Sequence, residues 1–196
     1  MKGYDVFSRS CLQRARDRLD ENTTEALFYA AFELRCGIEV RMQEYLEAQE
    51  HLAASKRKGW QIPKLGHNLE QAFRLGDRVA QLTFTDLETK RPLQILYYTP
   101  VTSTLQREAG QLDRYRHGLQ ESPSRERLTA IRVFLEQVYA HLKTANTGTV
   151  LGPPLVKPDG RIQLYVEEEG IATELYKLGS RVIMTVKYLD ELPSSD

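Results

Sequence analysis

Two kinds of hydrophobic periodicity divide the chain into helical and strand segments. Apolar residues three or four positions apart predict helices over about 5–20, 24–52, 66–75, 105–119 and 122–144. Alternation of apolar and polar residues predicts strands over 80–85, 93–98, 162–166 and 182–188. The order of these segments, helices followed by a mixture and then strands, predicts an α+β protein.

The segment 24–52 carries the strongest helical signal. One apolar stripe runs along it, and Phe28 and Phe32 begin a second apolar face. A helix with two apolar faces belongs in the middle of a bundle. Asn22 and Glu25 have the spacing of a capping box and are predicted to start this helix.

The best candidate boundary is the Gly- and Pro-rich stretch 146–154. We predict an antiparallel helical bundle over 1–146, with a β-hairpin inserted at about 79–99. Residues 147–196 are predicted to form a β-rich extension with a tight turn at 156–161. Because two or three isolated strands are marginal in water, this extension is expected to pack on the hairpin.

The charge balance narrows the function classes. The sequence has 27 Lys and Arg against 27 Asp and Glu, so its net charge is zero. A positive charge on the whole protein, which would favour nucleic-acid binding, is therefore absent. No apolar run approaches the roughly 20 residues needed to span a membrane, and the Arg-rich start does not resemble a signal peptide. We therefore expect a cytoplasmic protein without membrane contact.

The sequence lacks the motifs of several enzyme classes. No nucleophile elbow, phosphate-binding glycine loop or dinucleotide fingerprint is present. Cys11 and Cys36 match neither a disulfide framework nor a zinc site, and are expected to be small buried or half-buried thiols. We predict no metal and no cofactor.

Charged residues interrupt the apolar face of the long helix at Glu33, Arg35 and Glu39. Charges in an apolar face need partners, because desolvating them alone is costly. One interpretation is a polar site inside a bundle or at a dimer interface. The other is a buried ion-pair network that fixes the register of the helices.

The segment 56–64 contains the only basic cluster with an aromatic residue in it. Lysine and arginine attract backbone phosphates, and tryptophan can stack on a base, so this segment is a candidate for nucleic-acid binding. The alternative is a solvated loop whose tryptophan packs onto the bundle. The candidate residues are Lys56, Arg57, Lys58, Trp60 and Lys64.

Three segments together resemble the HEPN superfamily of helical bundles: residues 30–39, the stretch 64–69, and the apolar pattern of 128–139. Gly-His-Asn-Leu at 66–69 is similar to the Gly-His-Asp-Leu that opens a short third helix in many members. The likeness covers about residues 5–145. It implies four or five packed helices, frequent homodimers, and roles in RNA cleavage, toxin–antitoxin pairs and phage defence.

The RNase signature of that superfamily, Arg and then His after four to six residues, is not matched. Arg132 and His141 are nine positions apart, which places them on opposite faces of a helix. His67 and Arg74 are the only pair expected to share a helix face, in the wrong order. We predict that His67 is a structural residue at the mouth of the third helix, and His67 and Arg74 stay catalytic candidates.

These observations favour a non-catalytic HEPN-like binding or accessory protein, in a prokaryotic defence or toxin–antitoxin setting. A homodimer is expected. RNA and a partner protein are the two possible ligands, and the sequence does not decide between them. The alternatives are a metal-independent RNase with a displaced His/Arg site, and a purely structural partner subunit.

Overall fold

A computed structural model shows a chain of two compact units, and we describe residues 7–116, 124–156, 162–167 and 169–193. Residues 1–72 and 101–146 contribute to the first unit, and residues 73–100 and 147–196 to the second. Helices build the first unit and a sheet organises the second, so the predicted α+β class is confirmed. The predicted hairpin insertion and the C-terminal extension are grouped in the same unit.

The helices of the first unit surround one central helix. α2 packs against α1, α5 and α6, as its two apolar faces predicted. Its inward side is almost fully covered, with Leu34, Ile38 and Met42 all at 0% exposure. The bounds are α1 Ser8–Glu21, α2 Thr24–Glu47, α3 Ala54–Arg57, α4 Ile62–Phe73, α5 Ser103–Arg116 and α6 Arg125–Ala145.

The start of α2 differs from the predicted capping box. Thr23 is the N-cap, and its side-chain oxygen accepts a hydrogen bond from the backbone N–H of Ala26. Asn22 instead ends α1 in the left-handed conformation, with φ of 54°, which asparagine tolerates better than most residues. α6 is capped by Ser124, whose Oγ accepts from Arg127 N; the predicted start at 122–123 lies outside the described residues.

A buried polar network ties three helices of the first unit together. Ser8, at the start of α1, donates from its backbone N–H to Glu44 and from its hydroxyl to the carbonyl of Gly37. The side chain of Asn146, which caps the end of α6, donates to Ser8 Oγ at 3.0 Å. Arg41 lies beside these groups at 0% exposure and pairs with Glu44.

The second unit contains a three-stranded antiparallel sheet in the order β2-β1-β5. A pair of two-residue strands, β3 and β4, brackets the predicted turn, of which residues 157–161 lie outside the described residues. The bounds are β1 Val79–Asp86, β2 Pro92–Tyr98, β3 Leu155–Val156, β4 Ile162–Gln163, α7 Glu169–Leu178, a 3-10 turn Gly179–Arg181 and β5 Val182–Leu189.

The C-terminal strand pairs with the hairpin along its whole length. β5 runs antiparallel to β1 from Val79 opposite Leu189 to Asp86 opposite Val182. The alternation of the sequence places Leu82 and Phe84 of β1 on a buried face. α7 is a helix within the extension that the sequence predicts to be β-rich, and the sequence pattern did not predict it. Ten residues with Gly170 in the first turn give too weak a helical signal to stand out in the sequence.

Gly148 holds the start of the C-terminal segment against the edge of β2. Its backbone N–H donates to Thr99 Oγ1, and the next two backbone N–H groups donate to the carbonyl of Tyr97. A Cβ at position 148 would lie 2.6 Å from Thr99 Oγ1 and 2.7 Å from the Tyr97 oxygen, closer than real contacts allow.

Replacing Gly148 with alanine is therefore expected to lower the free energy of unfolding by about 1–3 kcal/mol, because the backbone must shift to admit the methyl group. Urea denaturation of the full chain measures the change. Gly170→Ala is the matched control, since a Cβ at that helical position meets nothing within 4 Å. Equal stability of the two variants would contradict the close packing of Gly148.

Candidate functional site

Two clusters that the sequence presents separately meet at one pocket of the first unit. The pocket has a volume of about 330 Å³ and lies between α2, α5 and the start of α4. Arg35 comes from the charged face of α2, and Trp60 and Lys64 come from the basic segment. The lining includes Arg35, Trp60, Lys64, Gln106, Gly110 and Asp113.

Arg35 forms the charged floor of this pocket. Arg35 is 5% exposed, and its guanidinium lies 3.0 Å from Glu39 Oε2 and 3.2 Å from Asp113 Oδ1. The two carboxylates compensate the buried cation, as a desolvated charge requires. The ion pair between Arg35 of α2 and Asp113 of α5 matches the interpretation as an ion-pair network between helices. The same two residues line a pocket, which matches the interpretation as a polar site.

Three side chains hold the backbone of the basic segment in place. Arg35 Nη2 donates to the carbonyl of Trp60 at 3.4 Å, and Gln43 of α2 donates to the carbonyl of Gly59. From α4, Asn68 Nδ2 donates to the carbonyl of Lys56 at 2.8 Å. Hydrogen bonds from the buried residues Arg35 and Asn68 and the half-buried Gln43 fix the course of the segment and so the position of the Trp60 backbone.

The side chains of the basic segment point outward. Trp60 is 64% exposed, so the interpretation in which it packs onto the bundle is wrong. Lys56, Lys58 and Lys64 are exposed, and Lys56 Nζ donates to Gln71 Oε1 at 3.3 Å. Arg57 is half-buried in the short helix α3, a helix that the sequence pattern did not predict within the loop.

The Gly-His-Asn-Leu motif lies inside α4 and not at its start. α4 begins at Ile62, so the prediction that His67 caps or opens the helix is wrong. The His67 side chain is exposed and contacts Gln71 at 2.9 Å. Gly66 is buried, and a Cβ at this position would lie 2.1 Å from Gln106 Oε1. The last two residues of the motif, Asn68 and Leu69, are also buried.

Arg74 does not share a helix with His67. α4 ends at Phe73, and Arg74 follows it in the left-handed region with φ of 53°. The predicted same-helix pair is therefore wrong. The sequence pattern predicts a helix to residue 75, but the left-handed conformation of Arg74 ends α4 two residues earlier.

Glu33 lies on the side of α2 that faces α1. It is two residues from Arg35 and hence about 200° away around the helix, and its carboxylate pairs with Arg14 at 3.0 Å. Arg14 also donates to the thiol of Cys11 at 3.2 Å. Burial raises the pKa of the Cys11 thiol from 9.0 to about 11, an effect that Arg14 partly offsets.

This shift predicts a pH dependence of stability at alkaline pH. The unfolded chain loses the Cys11 proton near pH 9, whereas the folded chain keeps it to about pH 11. Stability is therefore fully present below pH 9 and falls as the pH rises toward 11, by about 1–2 kcal/mol. Urea denaturation at pH 8 and pH 10.5 should show a larger loss for wild type than for Cys11→Ala; equal losses would contradict the shift.

Sequence reasoning missed a histidine and carboxylate pair between α5 and α6. His141 Nδ1 lies 2.8 Å from Glu108 Oε2, and Gln137 Nε2 donates to Glu108 Oε1 at 2.8 Å. Glu108 is 4% exposed, while the His141 side chain is 40% exposed. No local signal could find this pair, because its members are 33 positions apart in sequence.

Among the described residues, no group of three or more His, Cys, Asp or Glu side chains could hold a metal ion. No helix in the described part of the chain is long and apolar enough to cross a membrane. Family models, curated proteins and solved structures were compared with the chain, and none matched.

Proposed function

We propose that this chain is a non-catalytic binding protein, and that the segment 56–64 of its first unit binds single-stranded RNA. The observation that carries the proposal is the exposed indole of Trp60 at a pocket that Lys64 also lines. Proteins bind single strands by combining cations for the phosphates with aromatic rings on which bases stack.

The local charge favours this function despite the neutral chain. Between Glu50 and Glu70 the sequence contains no acidic residue, while the basic segment supplies Lys56, Lys58 and Lys64 as exposed cations. A phosphate backbone passing along this segment would therefore meet no carboxylate of the same stretch. Sequence-independent affinity for nucleic acid needs only such a local field.

The salt dependence of RNA binding tests this proposal. Three lysine–phosphate contacts predict that log Kobs for a labelled single-stranded RNA falls with log salt concentration at a slope of about −2. Lys58→Ala should weaken binding and reduce the magnitude of the slope by about 0.7. Lys187→Ala removes the same charge from an exposed position on β5 and should leave both quantities unchanged.

Two results would contradict the proposal. One is the absence of any shift with single-stranded RNA at low salt in fluorescence anisotropy. The other is equal weakening by Lys58→Ala and Lys187→Ala, which would indicate a diffuse charge effect without a defined segment.

The class of protein that we propose is HEPN-like, acting in a prokaryotic defence or toxin–antitoxin system. Its support is the sequence resemblance, together with a central helix packed by three others. The place of Gly-His-Asn-Leu inside α4 departs from the helix-opening position of that motif in the superfamily. A neighbouring gene for a toxin, nuclease or nucleotidyltransferase would support this setting, and a metabolic operon would contradict it.

A homodimer is part of the same proposal. Its support is the outer face of α2, where Tyr29 is 61% exposed and Phe32 is 44% exposed. Light scattering at micromolar concentration should give about twice the chain mass of 22.6 kDa. A mass of one chain over the whole concentration range would contradict the dimer while leaving the RNA proposal intact.

A metal-independent RNase is the second candidate, and the pair of His141 and Glu108 favours it. A buried carboxylate that orients a partly exposed imidazole is a common arrangement for general acid–base catalysis. Incubation with RNA in EDTA decides between the candidates. Our proposal expects no cleavage; cleavage by wild type that a folded His141→Ala variant lacks would establish the RNase, with the exposed His51→Ala as the matched control.

A further inference from the structure

We infer that the pocket beside Trp60 receives one nucleobase of a bound RNA strand. The inference rests on the proposed function and deepens it, because it assigns a binding subsite to the space next to the exposed indole. At about 330 Å³, the pocket is at the small end of the range of ligand sites and suits a single ring system more than a long chain.

Apolar residues line part of the pocket. Ile62 and Pro63 line it from the first turn of α4, and Gly110 lines it from α5. A Cβ at position 110 would meet nothing within 4 Å, so the missing side chain leaves the wall open. Glycine inside a helix lowers helix stability by roughly 1 kcal/mol relative to alanine.

The floor of the pocket suits a neutral polar ring better than a phosphate. The charge of Arg35 is already met by Glu39 and Asp113, at 3.0 and 3.2 Å. A phosphate in this position would face the carboxylate of Asp113. A base carries both donors and acceptors on its edge, and the floor presents both kinds of group through Arg35, Asp113 and Gln106.

The cations lie where the phosphates of such a strand would run. Lys64 lines the pocket, and Lys58 lies two residues before Trp60 on the exposed side of the segment. A base inside the pocket would therefore keep its own phosphate near ammonium groups, while the indole stacks on the ring. The lysines supply affinity that is independent of sequence, and the pocket supplies preference for an unpaired base.

Filling the pocket tests the inference without touching the lysines or the indole. Gly110→Leu places a side chain in the open space of the pocket wall, and leucine is a better helix former than glycine. Gly170→Leu is the matched control, because its Cβ position in α7 is equally open. Circular dichroism and melting curves confirm that each variant folds, and Gly110→Ala provides a smaller filling side chain.

We expect Gly110→Leu to weaken binding of a labelled single-stranded RNA about tenfold, Gly110→Ala to weaken it less, and Gly170→Leu to leave it unchanged. Unchanged affinity of Gly110→Leu, with the lysine and salt effects retained, would overturn the pocket and leave the RNA-binding segment standing.

A second arm keeps the pocket testable if wild type binds no RNA strand. The four nucleoside monophosphates are then titrated at millimolar concentration while the fluorescence of Trp60 is recorded. A saturable change in wild type and Gly170→Leu that Gly110→Leu lacks would support the pocket. The absence of a change in every variant would overturn the pocket, whereas the proposed function is already contradicted by the absence of RNA binding.

Discussion

Replacing Arg41 with methionine is expected to lower the free energy of unfolding of the chain by about 3 kcal/mol. Arg41 is among the largest fully buried side chains of the structure, at 0% exposure. Its Nε donates to the hydroxyl of Tyr45 and to the carbonyl of Ala145, and its Nη1 pairs with Glu44 at 3.0 Å. Methionine fills similar space but removes the donor to the Tyr45 hydroxyl and the cation that pairs with Glu44, while the carbonyl of Ala145 still accepts from the Tyr45 hydroxyl.

Urea denaturation of the two variants Arg41→Met and Arg18→Met measures this effect. Arg18 also pairs with a glutamate on its own helix, but both side chains are 46% exposed, so its loss should cost less than about 0.5 kcal/mol. Adding Glu44→Gln to Arg41→Met should recover part of the loss, because the unpaired carboxylate is then removed. Equal stability of Arg41→Met and Arg18→Met would contradict the buried network.

Replacing Trp60 with alanine is expected to weaken binding of single-stranded RNA by about tenfold or more. Stacking of a base on an aromatic side chain contributes about 1–3 kcal/mol, and Trp60 is the only aromatic residue of the basic segment. The variant should fold with unchanged stability, because the indole is 64% exposed. Trp60→Phe should retain most of the affinity, since a phenyl ring also stacks.

Tyr188→Ala is the matched control for this prediction. Tyr188 is an exposed aromatic residue, at 46% exposure, but it lies on β5 of the second unit, beneath the guanidinium of Arg78. Anisotropy titrations at low salt compare the three variants with wild type. Equal affinity of Trp60→Ala and wild type would show that base stacking on Trp60 does not contribute to binding, and that electrostatic attraction alone holds the RNA.

The elements of the fold could be predicted where the signal is local. The apolar spacing of α2 and the alternation of β1, β2 and β5 depend on residues a few positions apart, and all four elements are present. Ile62-Pro63 marked the start of α4, because proline is favoured in the first turn of a helix. The sequence interpretation placed that start four residues later, at Gly66, and so gave His67 the wrong position.

The candidate site could be predicted only in pieces. Arg35 and Trp60 stood out as a charge in an apolar face and an aromatic residue in a basic segment. Arg35 donates to the carbonyl of Trp60, 25 positions away, and also pairs with Asp113, which is 78 positions from Arg35 in sequence. Hydrophobic periodicity depends on residues a few positions apart, so it does not predict a contact between residues so distant in sequence. The buried Arg41 was missed for the same reason, since its acceptor at Ala145 is 104 positions away.

The most direct test of RNA binding at the basic segment is the fluorescence of the protein itself. The sequence contains one tryptophan, so emission excited at a wavelength that tyrosine does not absorb reports on Trp60 alone. Titration with a short single-stranded RNA at low salt should quench this emission saturably, duplex RNA should quench it less, and added salt should reverse it. Emission that stays unchanged across micromolar concentrations of single-stranded RNA would contradict the account.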